Sequence, residues 1–226
     1  GEDTFSNCTF TSNVAVTFGG GINGSACDFA IVDCTFTGNT SRFAAAVMSS
    51  QGSASQIRDC TFTDNEALEK GGAVSSILGS AAAITGCTFT GNLAGTFGGA
   101  VADYLGDATY ENCEFLGNSA GNRGGAMDFE QAYPTVIGCI FERNESNQLG
   151  GAVSNREGIA GQAPVFRDCT FLDNQAVQHG GAMVNHSMAV INGCSFTGNG
   201  AGDGGGAIAS FDASPSLADT RVCDNT

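Results

Sequence analysis

The chain has 226 residues, a formal net charge of −15 and only eight lysines and arginines. Nucleic acids and anionic membrane surfaces are bound by clustered cations, so this charge disfavours both partners. Apolar residues make up 42% of the chain, but none of their runs reaches the roughly 18–20 residues that a membrane helix needs.

One phrase, Cys-x-Phe-x-x-Asn, recurs along the whole chain, at residues 8–13, 34–39, 60–65, 87–92, 113–118, 139–144, 169–174 and 194–199, with a truncated copy at 223–225. Successive cysteines are 26, 26, 27, 26, 26, 30, 25 and 29 residues apart. A period in this range, sustained from end to end, predicts a solenoid. We therefore expect a single domain covering residues 1–226.

Each repeat contains three short apolar segments. The Cys-x-Phe segment comes first, and a Gly-Gly-Ala phrase that ends in Ile, Val or Met follows it. A third large or β-branched residue, such as Ile57 or Ile84, precedes the next cysteine. These segments are too short and too rich in glycine for helices. They predict an all-β, right-handed parallel β-helix of about eight to nine coils, with three short strands per coil.

The residue immediately before each cysteine predicts a sharp corner. These residues are Asn7, Asp33, Asp59, Gly86, Asn112, Gly138, Asp168 and Gly193. Asparagine, aspartate and glycine tolerate left-handed backbone angles, so we expect one left-handed residue directly before the Cys-x-Phe strand of every coil.

Three core ladders follow from the alternation of side chains along a strand. The phenylalanine ladder contains Phe10, Phe36, Phe62, Phe89, Phe115, Phe141, Phe171 and Phe196. The cysteine ladder contains Cys8, Cys34, Cys60, Cys87, Cys113, Cys139, Cys169 and Cys194. The asparagine ladder contains Asn13, Asn39, Asn65, Asn92, Asn118, Asn144, Asn174 and Asn199.

The cysteines favour buried free thiols over other chemistry. Strands in register place neighbouring Cβ atoms farther apart than disulfides prefer, although disulfides stay an alternative. Zinc sites need closer cysteine pairs than this chain has. Cys27 lies outside the ladder and is the residue best placed for any bridge.

Insertions in the repeat all fall at one corner, after the Gly-Gly-Ala segment, and the longest span residues 154–165 and 209–219. Solenoids often carry recognition loops on one face. Asn155, Arg156 and Glu157 are therefore the candidate binding loop, with drift in an unconstrained turn as the alternative.

Catalytic and metal sites are not predicted. His179 and His186 form no recognisable triad, and no repeating aspartate stack with a basic partner is visible, although polysaccharide-cleaving enzymes of this fold use clustered aspartates. No cofactor is expected. Calcium is a weaker alternative, because residues 198–203 read Gly-Asn-Gly-Ala-Gly-Asp, a single copy of a calcium-binding β-roll phrase.

Five Asn-x-Ser/Thr sequons occur, at Asn7, Asn23, Asn39, Asn144 and Asn185. Asn39 and Asn144 belong to the asparagine ladder, where a glycan would conflict with burial. Asn23 and Asn185 are therefore the candidate glycosylation sites.

Threonines flank the first four ladder phenylalanines, in the pairs Thr9/Thr11, Thr35/Thr37, Thr61/Thr63 and Thr88/Thr90. Flat threonine rows on a solenoid suggest ice binding. Threonine is also an ordinary exposed strand residue, so this stays a third alternative.

The phrases Phe-x-x-Asn and Gly-Gly-Ala-(Ile/Val/Met) resemble the repeat of the chlamydial-type polymorphic outer-membrane proteins. Residues 62–65 with 71–74, 89–92 with 98–101, and 171–174 with 180–183 are clean copies, whereas alanines replace both glycines in residues 44–47. The resemblance implies an exported β-helix passenger that takes part in adhesion.

We accordingly expect a non-catalytic, secreted or surface-exposed structural or adhesive solenoid. Its ends look uncapped, which suggests a segment of a longer solenoid or end-to-end self-association. Surface glycans or a host-cell receptor are the expected further partners. The alternative is a carbohydrate-binding or polysaccharide-cleaving β-helix, which should show acidic and aromatic groups converging in a groove beside a strand face.

Overall fold

The computed structural model describes residues 3–158 and 162–226, and all regular secondary structure in those residues is β. Four parallel sheets run along the rod. We call them sheets A, B, C and D, in the order in which the chain passes through them in each complete coil. The strands of sheet A are Asp3–Ser6, Phe29–Val32, Gln56–Arg58, Ala83–Thr85, Thr109–Glu111, Thr135–Ile137, Val165–Arg167, Val190–Asn192 and Ser216–Ala218. The strands of sheet B are Thr9–Thr11, Thr35–Thr37, Thr61–Thr63, Thr88–Thr90, Glu114–Leu116, Ile140–Glu142, Thr170–Leu172, Ser195–Thr197 and Arg221–Cys223.

The other two sheets complete each coil. Sheet C contains Thr40–Phe43, Glu66–Lys70, Leu93–Ala94, Ser119–Ala120, Glu145–Ser146, Gln175–Ala176 and Gly200–Ala201. Sheet D contains Ile22–Ser25, Val47–Ser50, Val74–Ile77, Val101–Tyr104, Met127–Glu130, Val153–Arg156, Met183–Asn185 and Ile208–Ser210. The described residues include no helix that could cross a bilayer.

This arrangement confirms the predicted all-β solenoid. Sheets A, B and D correspond to the three predicted strands, whereas sheet C adds a short fourth one. Most of its strands have only two residues, as in Leu93–Ala94, which is too short for an alternation of side chains to be visible in the sequence.

The predicted corners are also confirmed. All eight residues that precede the repeat cysteines have positive φ, from 52° at Asp33 to 66° at Gly193. The chain therefore turns in the same way between sheets A and B in every coil.

The ladder phenylalanines form one continuous column behind sheet B. Their neighbouring ring centroids are 4.5–4.9 Å apart, and the planes of neighbouring rings differ by 7° or less. From Phe36 to Phe196 the rings are fully buried, while Phe10 is only partly buried. This spacing equals the rise from coil to coil, so the rings stack without any shift in register.

The ladder asparagines form a second column, at the corner between sheets B and C. Asn92 shows the pattern: its Nδ2 donates to Asn118 Oδ1 at 2.9 Å and to the carbonyl oxygen of Phe62 at 3.0 Å. Its Oδ1 accepts from the backbone and side-chain nitrogens of Asn65. Each buried amide is thereby satisfied by its neighbours, and the column continues to Asn225.

The ladder cysteines form a third column, and all ten cysteines are free. The Cys34 amide donates to Cys60 Sγ at 3.4 Å, and the Cys34 thiol lies 3.2 Å from the Val32 carbonyl oxygen. The buried thiols therefore act as small apolar groups with weak hydrogen bonds. Cys27 lies outside this column and is exposed.

Replacing Phe89 by alanine should remove one ring from the middle of the column. Phe89 is fully buried between Phe62 and Phe115, so we expect a loss of about 3–5 kcal/mol in the free energy of unfolding. Urea unfolding measures this loss.

Phe18→Ala is the matched control, because the Phe18 side chain is 42% exposed at the surface. It should cost about 1 kcal/mol or less. Equal losses for the two variants would contradict the buried column.

Candidate functional site

A groove runs along the outer face of sheet D. The residues before each Gly-Gly or Ala-Ala pair form parallel bridges from coil to coil, a row that we call the bridge column. It consists of Phe18, Phe43, Lys70, Phe97, Arg123, Leu149, His179 and Gly204. Four outward side chains of sheet D, those of Met48, Ala102, Asp128 and Val184, are at most 6% exposed. The bridge column therefore covers one side of sheet D, and the groove is the concave surface between the bridge column and the sheet.

Glycines make this close approach feasible. Gly98 has a φ of 63°, and a Cβ atom there would lie 2.0 Å from the Val101 carbonyl oxygen. A Cβ on Gly99 would lie 2.0 Å from the carbonyl oxygen of Gly125 in the next coil. In the exceptional second coil Ala44 replaces the first glycine and keeps the left-handed conformation, with a φ of 53°.

One end of the groove is apolar and aromatic. It encloses a cavity of about 230 Å³ whose lining includes Phe18, Phe43, Met48, Ile77 and Tyr104. The Phe18 and Phe43 rings stack with their centroids 5.6 Å apart. This end therefore offers ring faces to a ligand.

The middle of the groove is charged and is organised around one aromatic ring. Arg123, Arg156 and Lys70 lie 4.3, 4.9 and 5.2 Å from the centroid of Phe97. Three of the eight basic residues of the chain thus converge on a single ring, where each gains a cation–π interaction.

Acidic side chains from sheet D hold two of these cations. Glu130 Oε2 lies 2.6 Å from an Arg156 guanidinium nitrogen and 3.0 Å from Lys70 Nζ. Asp128 Oδ2 lies 3.5 Å from Arg156, and Glu157 lies 3.4 Å from it. The Arg156 side chain is only 9% exposed, so these pairs stabilise a charge that would otherwise be costly to bury.

Burial raises the pKa of Asp128, while the positive charges of Arg156 and Arg123 act in the opposite direction. The Asp128 side chain is 2% exposed. It is therefore a group that holds Arg156 in place from below the surface.

The far end of the groove contains the two histidines. The Phe211 ring lies between them, 5.2 Å from His179 and 5.1 Å from His186. Burial, with Arg123 and Arg156 nearby, lowers the pKa of His186, so its imidazole is neutral at pH 7. These contacts form an aromatic cluster and no catalytic triad.

A buried polar pair lies beneath the floor of the groove. Tyr110 Oη donates to Asp103 Oδ2 at 2.9 Å, and both side chains are in the core. Burial is the main cause that raises the pKa of Asp103 to about 7, while the hydrogen bond from Tyr110 acts in the opposite direction.

The candidate binding loop requires a correction. Asn155 and Arg156 belong to the sheet D strand Val153–Arg156, and Asn155 is 1% exposed. Only Glu157 follows the strand, in a left-handed conformation. The insertion begins later than the repeat suggested, and its residues 159–161 lie outside the described part of the chain.

Glycosylation at Asn185 is also corrected. Its side chain is fully buried in the strand Met183–Asn185, whereas Asn23 is exposed. Both asparagines lie in sheet D, but Asn185 occupies a core-facing position, which the sequon alone does not reveal.

The sequence interpretation missed the residues that make the groove charged, Lys70, Phe97 and Arg123. These residues share one position in the repeat, directly before the Gly-Gly pair. That position carries a large side chain in most coils, and this pattern could have identified them from the sequence. The interpretation found no repeating aspartate stack with a basic partner, and it did not anticipate the single contact between Asp128 and Arg156.

The threonine pairs lie on sheet B, on the opposite surface of the same strands as the phenylalanine column. Thr9, Thr35, Thr61 and Thr88 are in register, as are Thr11, Thr37, Thr63 and Thr90. The rows end after four coils, where Glu114 and Leu116 follow. In residues 3–158 and 162–226 no group of three or more His, Cys, Asp or Glu side chains is arranged to hold a metal ion.

Comparison with known proteins identifies the class. The family model described as a right-handed β-helix region matches residues 45–221. The chain therefore belongs to the right-handed β-helix family.

Comparison with individual proteins gives no closer assignment. No curated protein matches the chain. Among solved structures it is similar to a double mutant of the periplasmic alginate epimerase AlgG, with a TM-score of 0.49 and 7% identity over 97% of this chain and 69% of that one. Similarity at this level gives no basis for transferring the epimerase activity.

Replacing Gly99 by alanine should disturb the turn that forms the groove. The new Cβ would overlap the Gly125 carbonyl oxygen, so we expect a loss of about 1–3 kcal/mol in the free energy of unfolding. Gly204→Ala is the control, because its Cβ would have no neighbour closer than 3.7 Å. Similar thermal unfolding of the two variants would argue against this tight turn.

Asp103 should make stability depend on pH. Its pKa in the folded chain is about 7 and would be about 3.9 in the unfolded chain. Between these two pH values the folded state binds more protons than the unfolded state. The contribution of Asp103 to the free energy of unfolding therefore falls as pH rises, by up to about 1.4 kcal/mol per pH unit.

Urea unfolding from pH 4 to pH 8 measures this effect as the difference between wild type and Asp103→Asn. The variant should gain stability relative to wild type as pH rises. A constant difference between wild type and Asp103→Asn would refute the assignment.

Proposed function

We propose that this chain is a non-catalytic, extracellular β-solenoid that binds carbohydrate in the groove over sheet D and thereby serves as an adhesive rod. The observation that carries the proposal is the convergence of aromatic rings and charged hydrogen-bonding groups beside one strand face. A purely structural rod would need no such groove.

The two kinds of surface in the groove suit a saccharide, which presents apolar ring faces and hydroxyl groups. Phe18, Phe43 and Tyr104 supply the apolar side. Lys70 and Glu130, which are 31% and 17% exposed, supply donors and acceptors. The cavity of about 230 Å³ is smaller than the roughly 300–1,000 Å³ of common ligand pockets. It would hold one sugar ring, with the remaining chain extended along the groove.

The acidic groups favour binding over cleavage. A general acid or base must come within hydrogen-bonding distance of the substrate. Asp128 is almost completely buried, and Glu130 already accepts from Lys70 and Arg156. These carboxylates therefore position the cations of the groove and are poorly placed for proton transfer.

The adhesive and extracellular parts of the proposal rest on the repeat. Its phrases resemble those of the polymorphic outer-membrane proteins, whose β-helix passengers are exported. The expected partner is accordingly a glycan on a neighbouring surface.

A glycan array carrying neutral and acidic oligosaccharides tests this function. We expect wild type to bind a subset of them, and Tyr104→Ala to lower the affinity by about tenfold or more, because the variant removes an aromatic face from the groove. Thr61→Ala on sheet B is the control and should bind like wild type. Binding to no glycan, or binding that Tyr104→Ala leaves unchanged, would disprove the proposal.

A further inference from the structure

We propose that Arg123 recognises an anionic substituent, a carboxylate or a sulfate, on an acidic saccharide bound in the groove. This inference rests on the carbohydrate-binding function proposed above and specifies the class of saccharide. Both groups are oxyanions, planar in a carboxylate and tetrahedral in a sulfate, and each can accept two parallel hydrogen bonds.

Arg123 differs from the other two cations of the groove in its partners. Lys70 and Arg156 share Glu130, and Arg156 also contacts Asp128 and Glu157. Arg123 forms no salt bridge or side-chain hydrogen bond with any residue in 3–158 or 162–226, and its buried Nε has no partner there. Its close contact is the face of Phe97, 4.3 Å from the guanidinium carbon. The terminal nitrogens of the guanidinium thus have no partner in these residues and can donate to a ligand, whereas the buried Nε cannot.

The surroundings of Arg123 favour an added negative charge. The side chain is partly buried, and both this burial and the nearby positive charge of Arg156 lower its pKa. Asp128 and Glu130 act in the opposite direction from a distance, but both already interact with Arg156. The three cations of the groove are matched in number by Asp128, Glu130 and Glu157, but all three carboxylates contact Arg156 and none contacts Arg123. An anion bound to Arg123 would therefore be its first direct ionic partner.

Phe97 also prepares the guanidinium for binding. The contact with the ring, 4.3 Å from the guanidinium carbon to the centroid, restricts the orientation of the side chain. A guanidinium edge presents two parallel N–H groups, which match a carboxylate or a sulfate. Because the donors are held in place beforehand, less conformational entropy is lost on binding.

The position of Arg123 in the groove agrees with this role. Arg123 follows Phe97 in the bridge column and lies three coils beyond Phe43 of the aromatic end, a separation that an oligosaccharide extended along the rod could span. A saccharide lying along the rod would therefore place a ring over the aromatic end and its acidic substituent near Arg123.

Calorimetric titration with two pairs of probes tests the inference. Hyaluronan oligosaccharides are compared with their methyl esters, and dextran sulfate is compared with dextran, so that each pair differs in its anionic group. The proteins are wild type, Arg123→Gln, Arg123→Lys and the control Arg167→Gln, which removes the same charge from an exposed position on sheet A. Thermal unfolding verifies that each variant is folded.

We expect wild type to prefer the charged member of at least one pair, and the preferred pair distinguishes a carboxylate from a sulfate. Arg123→Gln should weaken binding of that member by about 10- to 100-fold and leave binding of its neutral partner unchanged. Arg123→Lys should recover only part of the loss, because it keeps the charge without the two parallel donors. Arg167→Gln should match wild type.

Three results would overturn the inference. These are equal affinity of wild type for the charged and neutral members, an equal effect of Arg123→Gln on both, and binding to none of the four probes. If neutral glycans still bind and Tyr104→Ala weakens them, the carbohydrate-binding function stands while the role of Arg123 is lost. If Tyr104→Ala has no effect on any glycan, the proposed function itself fails.

Discussion

Parallel hydrogen bonding between coils is the constraint on which the whole molecule depends. It pairs Phe89 with Phe62 on one side and with Phe115 on the other, so a residue at one repeat position meets its equivalent in the next coil. Phenylalanine rings can stack on one another, and asparagine amides can donate and accept at once. A column of carboxylates would repel itself. The core columns therefore consist of residue types that are compatible with their own copies.

The proposed binding surface arises where this repetition is relaxed. Along the bridge column, Lys70, Phe97 and Arg123 occupy equivalent positions in successive coils. Phe97 separates two cations that would otherwise be direct neighbours, and its ring attracts both of them. The tight Gly-Gly turns keep this column close to sheet D, where Asp128 and Glu130 face it. A regular scaffold thus carries an irregular, charged groove.

That groove contains features that do not help the fold. Arg156 is almost buried among three carboxylates, and Asp103 and Tyr110 place polar groups in the core below it. Buried charges and partly satisfied polar atoms contribute little to stability and often reduce it. Their concentration at one face of an otherwise apolar rod is typical of a binding site, where local stability is given up for recognition.

The sequence by itself determined the repeat, the left-handed corners and the three core columns, because each of these depends on residues at fixed positions within one period. It did not reveal the two-residue strands of sheet C, which are too short to show alternation. It also missed the partnership of Lys70, Phe97 and Arg123 with Asp128 and Glu130, and it misplaced Asn155 and Asn185. Only the tertiary structure decided these points, because the contacts join different sheets of different coils, and burial there depends on how closely the Gly-Gly turns bring the chain together.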